Sequence, residues 1–180
     1  MPPILAHYIR VMDALSRGLA HIASACVLAA CAVSAAVALV RYGFNIGSNA
    51  WLEIQWYLFA ATVFLGAPAL VQLNEHVRVD VIYGGRQPRT RAWIDLLGFA
   101  LFYLPVCGVL LWTSAGFAYD AWASHEMSNS AGGLVRWPVK ALIPLGFALL
   151  LAQGLAEVFK RIGYLAGRWN MDTHYERPLQ

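Results

Sequence analysis

Residues able to do chemistry are sparse in this chain, and their spacing suits few reactions. Cys26, Cys31 and Cys107 form no C-x-x-C pair, and each lies inside an apolar run. Disulfide exchange needs reactive sulfurs open to a partner thiol, so the expectation is buried, inert thiols that pack as small hydrophobes. The histidines are His7, His21, His76, His125 and His174. Axial haem ligands must face one another from two helices at a common depth. Here only His21 is close to an apolar run, and it sits at the end of one. H-E-x-x-H, G-x-S-x-G and a phosphate-cradling Gly loop are all missing from the sequence. The chain therefore reads as non-enzymatic, with no catalytic residue, metal or cofactor. Two alternatives stay open: a haem-containing membrane anchor of a quinone-linked oxidoreductase, and an unrelated four-helix membrane assembly factor.

Polar residues beside the apolar runs carry more information, because burying them in lipid is costly. Glu53 and Gln55 open one such run. Ser48 or Asn49 could cap that helix, and Glu53 would then face the positive end of its dipole. The sharper reading has Glu53 accept a hydrogen bond from a neighbouring subunit, with Trp56, Tyr57 and Ala60 as an aromatic-plus-small contact stripe. A lone carboxylate is a poor cation site, since coupling ions need several converging oxygens. Asp95 with Arg91, and Glu157 with Arg161, are spaced for helical ion pairs near an interface. From His76 to Val81 polar and apolar residues alternate, so an extended segment would set Val77, Val79 and Val81 on one face. His76, Arg78 and Asp80 are then a candidate latch or docking loop. The simpler reading is a tight connection leading to Pro88, a residue suited to a first helical turn.

The elements that must position these residues follow from composition. Of 180 residues, 59% are hydrophobic and 13% charged, whereas soluble domains run near 45–50% and about 25%. That excludes a water-soluble globular domain and a disordered chain, and a net charge of +3 is too weak for a nucleic-acid footprint. A bilayer core demands about 20 apolar residues in a helix. The expected fold is all-α and integral to the membrane, a single domain over 1–180 with spans at 19–40, 51–73, 92–119 and 138–159. The fourth span reaches full length if Lys140 and Lys160 snorkel to the interfaces. The first apolar run is longer than a signal-peptide core, so it is read as uncleaved.

Arg10, Arg17, Arg78, Arg86, Arg89, Arg91, Lys160, Arg161, Arg168 and Arg177 fall on one side, against Arg41, Arg136 and Lys140 on the other. The positive-inside rule then makes both termini and loop 74–91 cytoplasmic, and loop 120–137 external. Tryptophans near the span ends agree with headgroup anchoring. Before the first span, Leu5, Tyr8, Met12, Leu15 and Leu19 recur at helical spacing. They mark a short amphipathic segment, either interfacial or a cytoplasmic extension of span one. Pro68 and Pro105 should kink or unwind their spans, and 128–133 reads as a flexible stretch. The halves show no inverted repeat with matched broken helices, the mark of a self-sufficient transporter core.

Several stretches, taken in order, resemble the small membrane (Q) subunit of tripartite ATP-independent periplasmic (TRAP) transporters. They are Trp51-Leu52-Glu53 with Phe64-Leu65-Gly66-Ala67, His76-Val77-Arg78-Val79-Asp80, and Trp137-Pro138-Val139-Lys140 with Ile143-Pro144-Leu145-Gly146 and Gln153-Gly154-Leu155-Ala156. The family often has two adjacent acids after the Trp, where this chain has Glu53 followed by Ile54. The resemblance implies a multi-pass protein of the bacterial inner membrane. Its partners would be a large membrane (M) subunit that binds solute and sodium, a periplasmic substrate-binding protein (P), and membrane lipids. The small subunit would scaffold the large one during sodium-coupled symport of a carboxylate. Trp51, Glu53, Trp56, Tyr57, Ala60 and Gly66 become candidate contacts to the large subunit, and His125, Glu126 and Arg136 candidate contacts to the binding protein.

Overall fold

A computed structural model describes residues 2–73 and 87–170. Its helices are α1 (Pro3–Phe44), α2 (Asn49–Leu73), α3 (Pro88–Ala123) and α4 (Trp137–Leu165), each long and apolar enough to cross a membrane. No strand forms among the described residues; an isolated antiparallel bridge joins Met127 to Val135. The all-α expectation holds, and the number of helices long and apolar enough to span a membrane matches the four expected.

At 42 residues, α1 is roughly 63 Å long at 1.5 Å per residue, about twice the hydrocarbon thickness. The amphipathic segment is therefore an unbroken extension of span one, not a separate interfacial helix. Of the apolar stripe, Met12 is buried and Leu5, Tyr8 and Leu19 are half-buried. Ile9, Met12, Ser16 and Ala23 are buried, whereas Leu15 is 42% exposed. The seam follows the helix it packs on, and apolarity alone could not fix that rotation. The helix stops at Asn45, whose left-handed φ of 54° a short polar side chain tolerates.

The two prolines behave differently. In α3 the backbone widens into a π-helical turn over Phe99–Tyr103, where the Leu104 amide donates to the Phe99 carbonyl. Pro105 has no N–H to donate and its ring crowds the preceding turn, so the wider turn relieves both problems. In α2 the helix continues through Pro68, which is buried.

The central element is α4, which packs against α1, α2 and α3; α1 also lies along α2, and α3 docks on α4. Close approach is set by small residues, as helix association in lipid requires. A Cβ on Gly146 would lie 2.5 Å from the Phe64 ring, and one on Gly154 would lie 2.5 Å from the Tyr103 ring. Tyr103 also donates its hydroxyl to the Leu150 carbonyl at 3.2 Å. Gly66 faces Ala23 of α1, where an added Cβ would sit at an ordinary 3.4 Å.

Candidate functional site: a hairpin clasp and a buried charge network

At one end of the bundle, α2 grips the α3–α4 connection. Asn49, Glu53 and Tyr57 recur every four residues and so share one helix face. Asn49 Nδ2 donates to the Ala131 carbonyl at 3.0 Å, and the Tyr57 hydroxyl to the Val135 carbonyl at 2.6 Å. Between them, Glu53 is 4% exposed. Its Oε2 accepts the Leu134 amide at 2.7 Å, and its Oε1 accepts the Ser128 hydroxyl. Both carboxylate oxygens thus hold the connection of their own chain. Asn49 serves as a loop donor here, in addition to opening the helix.

The stretch expected to be flexible is a closed hairpin turn. Ser128 N–H donates to the Leu134 carbonyl at 3.0 Å, and Arg136 N–H to the Glu126 carbonyl at 2.9 Å. A Cβ on Gly133 would come within 2.4 Å of Ser128 Cβ and 2.9 Å of Glu53 Oε1, so this position demands glycine for space. His125 ends α3 with φ of 49°. The Glu126 amide returns to the Ala121 carbonyl at 3.0 Å and the His125 amide to that of Trp122 at 3.2 Å, which is a Schellman stop.

Of the three candidate binding-protein contacts, His125 is exposed at this helix stop. Glu126 pairs with Lys140, whose ammonium also lies 3.9 Å from the Phe117 ring centroid. Arg136 Nη2 donates to Ser128 Oγ at 3.5 Å. Among the other candidates, Trp51 and Trp56 are 54% and 66% exposed, and Ala60 and Gly66 are half-buried. His76, Arg78 and Asp80 lie outside the described residues. Of the thiols, Cys107 is buried, Cys26 half-buried and Cys31 exposed. Cys31 lies off the packed seam of α1, on the outward face of the bundle.

At the opposite end, where the described N- and C-terminal regions meet, lies a network the sequence reading did not assemble. Gln153 accepts from the Ser16 hydroxyl at 2.9 Å and donates to Asp13 at 3.1 Å and Glu157 at 3.2 Å. Lys160 bridges Asp13 and Glu157, both at 2.7 Å. Arg161 donates to Glu157 at 2.6 Å and reaches Asp95 at 3.5 Å, with its guanidinium 4.5 Å from the Phe99 ring centroid. The expected Glu157–Arg161 pair is present, but as part of a buried junction of α1, α3 and α4. Nearby, the Tyr8 hydroxyl donates to the Ala152 carbonyl at 2.7 Å. A sequence signal existed. Gln153, Glu157, Lys160 and Arg161 recur at helical spacing on the face that also carries Gly146 and Gly154.

A family model described as "Tripartite ATP-independent periplasmic transporters, DctQ component" matches residues 30–163. No curated protein matches, and no solved structure matches.

Proposed function

The chain belongs to the DctQ component family of tripartite ATP-independent periplasmic transporters, and from this membership we propose a static, non-catalytic scaffold for the large transport subunit. In this reading it stands in the bacterial inner membrane with both termini and loop 74–91 cytoplasmic. It supports sodium-coupled symport of a carboxylate solute delivered by a periplasmic binding protein. The carrying observation is the use made of the buried charges. Glu53, Glu157, Lys160 and Arg161 are all buried, and each is engaged by other groups of the same chain. A fixed frame needs such internal locks, whereas a moving solute site needs polar groups left free for its cargo.

The exposed Trp51 and Trp56, with Ala60, are proposed to meet the large subunit, where aromatic and small residues pack closely in lipid, whereas Gly66 serves the α1–α2 contact through Ala23. Glu53 and Tyr57 contribute through the hairpin they hold. His125, Glu126 and Arg136 border the proposed binding-protein surface, and His76, Arg78 and Asp80 a cytoplasmic latch. Reconstitution tests the reading. Proteoliposomes with this chain alone should take up no solute, and uptake should need the large subunit, the binding protein and a sodium gradient. Uptake by the chain alone would overturn the scaffold role.

A further inference from the structure

At the hairpin end, two cavities meet between the end of α1 and the start of α2. One, of about 320 Å³, is walled by Ala36, Val37, Val40, Ile46 and Trp51, with Ser48 at its edge. The other, of about 380 Å³, is bordered by Arg41, Asn45, Ser48 and Asn49. They share Val37 and Ser48, so an apolar slot opens directly into a polar mouth. The order of polarity matters. The slot lies along the membrane-spanning part of α1, and the mouth lies at the helix ends, where the headgroup region begins. None of the bordering residues is acidic, so the Arg41 guanidinium has no carboxylate in the mouth to neutralise it.

We propose that this is a binding site for an anionic phospholipid. An acyl chain occupies the slot beside Trp51, and the phosphate sits in the mouth against Arg41. The guanidinium fork matches a phosphate, and Ser48 and Asn45 offer further polar atoms. A knob from a protein partner would suit the slot but leave the cationic mouth unfilled. A free anion would suit the mouth and leave the slot empty. Only an amphipathic anion satisfies both. The inference rests on α1 and α2 spanning a membrane, and its failure would leave the transporter-subunit reading untouched.

The test uses the full chain in mild detergent, with lipid retention read by native mass spectrometry. Phosphatidylglycerol should be retained over phosphatidylcholine by about fivefold, the effect of one basic residue near an anionic lipid. Arg41→Gln should abolish that preference, while Arg168→Gln, a charge control at the far end of the bundle, should preserve it. Ala36→Phe, filling the slot, should reduce retention of both lipids with helicity unchanged by circular dichroism. Equal retention of the two lipids by the unmodified chain would overturn the proposal. Equal loss from both Arg variants would do the same, since the preference would then follow net charge. Displacement of the lipid by millimolar inorganic phosphate would show a simple anion site instead. Loss of large-subunit association in Ala36→Phe, with lipid retention unchanged, would assign the slot to a protein interface.

Discussion

Glu53 shows how one side chain can organise a surface it does not form. Its carboxylate takes a backbone amide and a hydroxyl from the α3–α4 hairpin, and removing an acceptor from buried donors costs about 1–3 kcal/mol. In Glu53→Ala, hydrogen exchange at the Leu134 amide should therefore accelerate while the α4 amides stay protected. If the protein is the proposed scaffold, Glu53→Ala and Asp80→Ala weaken subunit association or slow uptake without changing which solute is taken. A shift in solute preference in Glu53→Ala would contradict that role. His125 offers a test of opposite sign. It occupies a left-handed position that costs a non-glycine residue roughly 1–2 kcal/mol, so His125→Gly should raise the thermal midpoint in detergent.

Among the helices, contact distance is set by glycines whose sequence context looks alike but whose surroundings differ. Gly146 and Gly154 face the Phe64 and Tyr103 rings, whereas Gly108 and Gly116 have open space. Gly146→Leu and Gly154→Leu should each destabilise the fold by about 1–3 kcal/mol or more, because overpacking forces the helices apart. Gly116→Leu should be neutral within error in the same thermal melts. The charge network joins three helices through α4. Glu157→Ala would leave Lys160 with Asp13 as its remaining carboxylate and Arg161 with its longer contact to Asp95, and breaking a buried pair costs about 3–5 kcal/mol. Its signature is a large loss of stability, with greater exchange in the first turns of α1 and α3.

For the molecule as a whole, the hairpin and the charge network lie at opposite ends, one at each predicted interface. The orientation proposed from the Lys/Arg distribution has a direct test. In a cysteine-free background, Ser130→Cys should react with an impermeant thiol reagent applied to intact cells stripped of their outer membrane. Arg168→Cys should react only after permeabilisation. The reverse pattern would invert the topology. Between the two locked ends, the outer faces of α1 and α3 expose long apolar side chains, among them Leu28, Leu39, Phe102 and Trp112, as expected of surfaces that meet lipid or a larger membrane partner.

What the sequence determined by itself is what depends on composition and period. Four apolar runs of spanning length leave the backbone no other way to satisfy its hydrogen bonds in lipid. The ordered motifs from Trp51 to Ala156 are specific enough to point to the family. Even the Glu157–Arg161 pair is a local consequence of helical spacing. What needed the tertiary structure was every partner distant in the chain. Glu53 lies 81 residues from Leu134, and Asp13 lies 147 from Lys160. No periodicity encodes such a meeting. It depends on how each helix is rotated about its axis, and in an apolar helix that rotation is chosen by packing, because nearly every face is hydrophobic enough to be buried. For this reason Leu15, on the apolar stripe, stays 42% exposed, while Ser16 and Gln153 meet in the interior.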